Sequence, residues 1–106
     1  MVDIQDIASL PEGKTVEFKR DLSSMKPILK TLIAFANTAG GTLLIGRDND
    51  GKIVGVDDVF DAEEKLANAI ADSIHPPLMP EIETTSLNGK ALILIRVAHW
   101  RGSSRT

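Results

Sequence analysis

The stretch AFANTAGGTLLIGRDNDGKIVG, residues 34–55, decides how the rest of the chain is read. Upstream, Met25, Ile28, Leu29, Leu32, Ile33 and Ala36 recur at helical spacing, and Lys26 and Lys30 fall outside that stripe. Ser23 or Ser24 is placed to cap this helix, and Pro27 is tolerated in its first turn. Gly40 and Gly41 stop it, one of them as a left-handed cap. TLLIG then reads as a short buried strand, RDNDG as a turn, and KIVGV as a further strand.

The turn also imitates a phosphate cradle, because Gly46 and Gly51-Lys52 have the required spacing. Three features oppose that reading. Ile53 stands where a magnesium-binding hydroxyl is needed, the following segment is strand-like rather than helical, and Asp48 and Asp50 repel phosphate. An EF-hand fares no better, since Gly46 would occupy the first ligand position and no helix follows. The turn is read as a hairpin, and no ATPase is expected of this domain.

Working outward, residues 3–8 suggest a first helical turn, and TVEFKR alternates Val16 and Phe18 with Glu17 and Lys19 as a half-buried strand does. Asp61 and Glu64 suggest a capping box for a helix burying Leu66, Ala67, Ile70, Ala71 and Ile74; His75 ends it as a dipole partner, before PPLMP. EIETTSL and KALILIRV flank Asn88-Gly89, a strong hairpin signature. Asn37, four residues after Ile33, is expected to be partly buried and to brace the Gly40-Gly41 turn; His99 and Trp100 are expected to cover the sheet edge or contact further chain. The predicted fold is α+β: a single mixed sheet of about five strands, in the order strand-helix-strand-strand-helix-strand-strand, packed with two main helices.

A chain of 106 residues suits one domain, and 42% hydrophobic with 25% charged residues is ordinary for a globular protein. There is no cysteine, hence no disulfide and no thiolate metal site. No apolar run has the length of a membrane span, and the acidic N-terminal segment does not resemble a secretory signal, so a cytoplasmic location is expected. A net charge of −3 speaks against a wholly basic nucleic-acid binder. The charge is uneven, however: residues 1–52 balance seven bases against seven acids, and residues 53–106 hold five against eight. A local basic patch in the first half is compatible with that balance.

EGKTVEFKRDL, KTLIAFANTAGGTLLIGRDNDGKIVGV and AIADSIHPPLMPEIETTSLNGKALILIRV together resemble the AlbA-type DNA-binding domain of the Schlafen-like (divergent AAA) superfamily, over residues 10–97. The most specific pieces are Glu12 with Glu17-Phe18-Lys19, the string Ala34-Phe35-Ala36-Asn37-Thr38, Gly40-Gly41, and Gly46 before an acidic turn. The resemblance implies a domain at the N-terminus of a longer transcriptional regulator or RecG-related, helicase-like protein, with DNA or RNA as partner. The bases placed to contact nucleic acid are Lys14, Lys19, Arg20 and Arg47. In animal Schlafens a related core is similar to a metal-dependent endoribonuclease that uses two glutamates and an aspartate. By motif these map to Glu12, Glu17 and Asp48, with Asp50 in reserve. Three such carboxylates suit Mg or Mn, which can polarise a phosphoryl oxygen and activate water. A third class, an interaction or homo-oligomerisation domain, fits the net acidity.

Overall fold

The computed structural model describes residues 15–100. The helical turn expected at 3–8, together with Glu12, Lys14 and the tail beyond Trp100, lies outside the described residues. The element order is β1 (Val16–Lys19), α1 (Met25–Asn37), β2 (Gly41–Ile45), α2 (Val59–Ser73), β3 (Glu81–Leu87) and β4 (Lys90–Val97). The strands form one mixed sheet in the order β1-β2-β4-β3. β1 and β2 are parallel neighbours joined through α1, and β2–β4 and β4–β3 are antiparallel.

Side-chain alternation sorts the strands into two faces. Leu43, Ile45, Ile93, Ile95 and Val97 pack with Ile28, Leu32 and Phe35 of α1 and Leu66 and Ile70 of α2. Both helices therefore cover the same face. Phe18, Leu44, Leu92 and Leu94 form a smaller cluster on the other face, with Val16, Ile53 and Leu87 against it. Phe35 belongs to the core although the sequence stripe omits it. Gly41 explains why: a Cβ there would come within 2.4 Å of the Phe35 ring, so the bare backbone lets α1 lie against β2.

The end of α1 follows expectation at Gly40, whose φ is +85° and whose N–H donates to the Phe35 carbonyl at 2.8 Å. Asn37 departs from it. It is exposed, because the buried stripe passes through Phe35 and Ala36; the Thr38 hydroxyl donates to the Ala34 carbonyl instead, at 2.9 Å. Trp100 also departs from it, packing against the helix-side core with its backbone N–H donating to the Ala36 carbonyl at 2.8 Å.

Three further expectations are corrected. Among the described residues the sheet has four strands rather than about five, since KIVGV forms only a bridge between Arg47 and Ile53. Val54 and Gly55 both donate to the Gly46 carbonyl and Gly55 has φ +80°, so the segment curls back instead of pairing. α2 begins one turn before the expected capping box: Asp58 is its cap, accepting from Asp61 N–H at 3.2 Å. Its buried residues are Ala62, Leu66 and Ile70, with Ile74 just beyond its end, while Ala67 and Ala71 face outward. His75 follows the Ile74 cap and takes no place in the last turn. The hairpin agrees with the sequence throughout: Asn88 and Gly89 take φ of +54° and +77° between β3 and β4.

Candidate functional site

The parallel register places Lys19 opposite Ile45 at the end of β1. Its carbonyl accepts from Gly46 N–H at 2.7 Å and from Arg47 N–H at 3.3 Å. Arg47, distant in sequence from Lys19 and Arg20, thus leaves the sheet at the same end as they do. Alternation turns Lys19 toward the helix side, whereas Arg47 crosses to the opposite face. There its guanidinium lies 3.8 Å from the centroid of the Phe18 ring, a cation–π contact. Arg47 Nε is buried without a hydrogen-bond partner. Gly51 closes over the group so tightly that a Cβ there would sit 3.3 Å from Arg47 Nη2.

Asp48 organises the turn. Its Oδ1 accepts from Asp50 N–H and from Lys52 N–H, both at 2.9 Å. Asp48 N–H donates to the Lys52 carbonyl at 3.0 Å, and Gly51 N–H donates to the Asp48 carbonyl at 3.1 Å. Two amides that a phosphate cradle would aim at its ligand are therefore engaged by a carboxylate from inside the loop. This is a self-contained Asx turn.

Glu17 pairs in register with Leu43 and lines a hollow between β1 and α1 with Thr15, Thr31, Ala34, Phe35 and Thr38. Asp48 lies beyond the far end of the same strand pair, past Lys19. The structure thus sets Lys19, Arg20 and Arg47 at the same end of the parallel strand pair, with Lys19 and Arg47 on opposite faces of the sheet, and puts Glu17 and Asp48 at different levels along the strands. Asp50 is exposed in the turn. Glu12 and Lys14 fall outside the described residues, among which no group of three His, Asp or Glu side chains is placed to hold a metal.

Asp21 adjoins the cationic end. It accepts from the Ser23 hydroxyl at 2.6 Å and from Ser23 N–H at 2.9 Å. These bonds, the hydroxyl first, hold its carboxyl below the ordinary aspartate range; the charge of Arg20 adds a smaller push in the same direction. The residue that sequence reasoning missed is Phe18. Its alternation marks it as buried, but nothing local shows that its ring carries Arg47.

A mixed sheet with a β-α-β crossover and both helices on one face defines a small α+β domain of AlbA type. The chain belongs to the Schlafen, AlbA_2 family, whose model matches residues 12–103. Its structure is similar to the N-terminal domain of a protein from Nitrosomonas europaea described as related to the ATP-dependent DNA helicase RecG. That likeness has a TM-score of 0.83 at 28% identity and covers 97% of this chain and 77% of the other. The DIP2311 protein from Corynebacterium diphtheriae shares the fold, with a TM-score of 0.62 at 19% identity; 91% of this chain matches 21% of that one. No curated protein matches significantly. No helix among the described residues is long and apolar enough to cross a membrane.

Proposed function

We propose that this domain is a nucleic-acid-binding module that contacts the phosphate backbone through Lys19, Arg20 and Arg47. The observation that carries the reading is the Arg47–Phe18 stack, 3.8 Å from guanidinium to ring centroid. A guanidinium fixed on an aromatic face loses little further freedom on meeting a phosphate, and its planar fork suits two phosphate oxygens. Lys19, on the helix side of the same strand end, and the exposed Arg20 add further positive charge around that end. Family membership and the likeness to a RecG-related domain support the same role.

The net charge of −3 makes this a local, weak contact rather than a field spread over the whole surface. Binding that weak suits one element of a larger nucleic-acid-handling protein, such as a transcriptional regulator or helicase-related chain. The test is fluorescence anisotropy with labelled single- and double-stranded DNA and with RNA, across a salt series. Binding that falls with salt and is lost in Arg47→Ala with Lys19→Ala supports the proposal. Binding unchanged by that pair would place the contact elsewhere.

A further inference from the structure

We propose that this chain forms a two-fold dimer through the outer edge of β3, joining two sheets into one. Among the described residues nothing pairs with that edge, because β3 ends the order β1-β2-β4-β3. The strand is seven residues long, contains neither lysine nor proline, and pairs with β4 without a bulge. Of the usual devices that keep an edge strand from pairing, it therefore has only charge, in Glu81 and Glu83. Its two acids are already met within the chain, since Arg96 Nη1 lies 2.7 Å from Glu83 and 3.9 Å from Glu81.

The sequence of β3 selects one register. In an antiparallel pair, opposed side chains share a face, so Glu81, Glu83, Thr85 and Leu87 oppose one another, and Ile82, Thr84 and Ser86 do likewise. An axis at Thr84 pairs all seven residues, with Glu83 opposite Thr85 and Glu81 opposite Leu87. An axis at Glu83 would set that acid against itself, and one at Thr85 would leave Glu81 and Ile82 unpaired. At the Thr84 axis two exposed threonines meet, a favourable cross-strand pair.

The helix layer fits the same axis. α2 packs over β3 and β4 and runs from the hairpin end, where Val56 N–H donates to the Ala91 carbonyl at 2.8 Å, toward the start of β3. Its length and that of β3 are both about 23 Å. Two such helices across the axis stand about 10 Å apart, a normal packing distance. Ala67 and Ala71 line the groove above Ile82 on this flank, small enough for that approach.

Phe60 and Met79 are the large hydrophobics left exposed among the described residues, at 77% and 89%. Phe60 lies on the same helical stripe as Ala67 and Ala71, at the hairpin end of β3; Met79 lies at the other end. A two-fold brings each beside the other from the partner copy, a self-complementary aromatic–thioether contact.

Sedimentation equilibrium of the full chain tests this. The expected mass rises with concentration to twice 11.4 kDa. Thr84→Lys and Thr84→Glu should each be folded and monomeric, because like charges then meet at the axis, and an equimolar mixture should recover the doubled mass. Phe60→Ser with Met79→Ser, both at exposed positions, should weaken association without altering the circular dichroism spectrum. A chain that stays monomeric at every concentration overturns the proposal. So does a dimer that survives Thr84→Lys, or a charge-swapped mixture that stays monomeric.

Discussion

Arg47 lies with its guanidinium 3.8 Å above the Phe18 ring, on the sheet face away from both helices. The contact links the last core residue of β1 to the first residue of the acidic turn after Gly46. It turns a flexible cation into an oriented one. If this orientation is used for phosphate contact, Phe18→Leu should weaken nucleic-acid binding severalfold while leaving the number of charges unchanged. Anisotropy titrations at fixed salt would show it; unchanged affinity would mean that the stack is structural only.

Removing the charges themselves should act differently. Arg47→Ala and Lys19→Ala should each lower the slope of log affinity against log salt by about one, because each phosphate contact releases condensed counterions. Lys30→Ala, on the exposed face of α1, should leave the slope alone. A slope that does not respond to either rim residue would remove the rim from the interface.

The turn should not bind a nucleotide. Asp48 engages the Asp50 and Lys52 amides at 2.9 Å, so no cradle of free N–H groups remains in that part of the loop. Calorimetric titration with ATP and magnesium is expected to give no heat of binding at micromolar concentration. Tight binding abolished by Lys52→Ala would overturn this. Asp48→Ala should instead cost about 1–2 kcal/mol of stability through the two lost bonds, measured by urea unfolding.

Metal-dependent cleavage provides a separate measurement. Glu17 lies opposite Leu43, and Asp48 beyond the end of the strand pair, engaged in its own turn. The expected result is no cleavage of structured RNA in magnesium or manganese. Cleavage that disappears in Glu17→Gln would instead support the nuclease reading with Glu12, Glu17 and Asp48.

The Asp21–Ser23 contact makes a prediction on the acid side. Because the folded-state pKa of Asp21 is lowered, its contribution to stability is present above the ordinary aspartate pKa and fades as pH falls through the lowered value. Ser23→Ala removes the hydroxyl bond, which is the largest cause, and should raise the Asp21 pKa. A carboxyl-carbon NMR titration reads that shift directly.

Much of the architecture is local in origin and could be read along the chain. The Asn88-Gly89 turn between two apolar runs determines the β3–β4 hairpin, because both residues accept the positive φ that such turns require. The stripe from Ile28 to Ala36 determines α1, and the alternation in VEFK determines which side of β1 is buried. The resemblance carried by Glu17-Phe18-Lys19, the helix end and the Gly-rich turn led to the family that the chain proves to belong to.

Other features depend on what approaches from elsewhere in the chain. β-branched KIVGV has strand propensity, yet the chain curls because Gly46 offers its carbonyl to Val54 and Gly55. Ala67 and Ala71 look like inner-face residues by period, but the position of α2 over β3 and β4 turns them outward. Phe18 and Arg47 stack only because a crossover brings the ends of β1 and β2 side by side. Backbone propensity and side-chain period act over a few residues, so the sequence alone determined the helices, the hairpin and the buried side of each strand. Which charges reach the same end of the sheet, the different levels of Glu17 and Asp48, and which edge is unpaired among the described residues arise from strand order and register, and only the tertiary structure decided them.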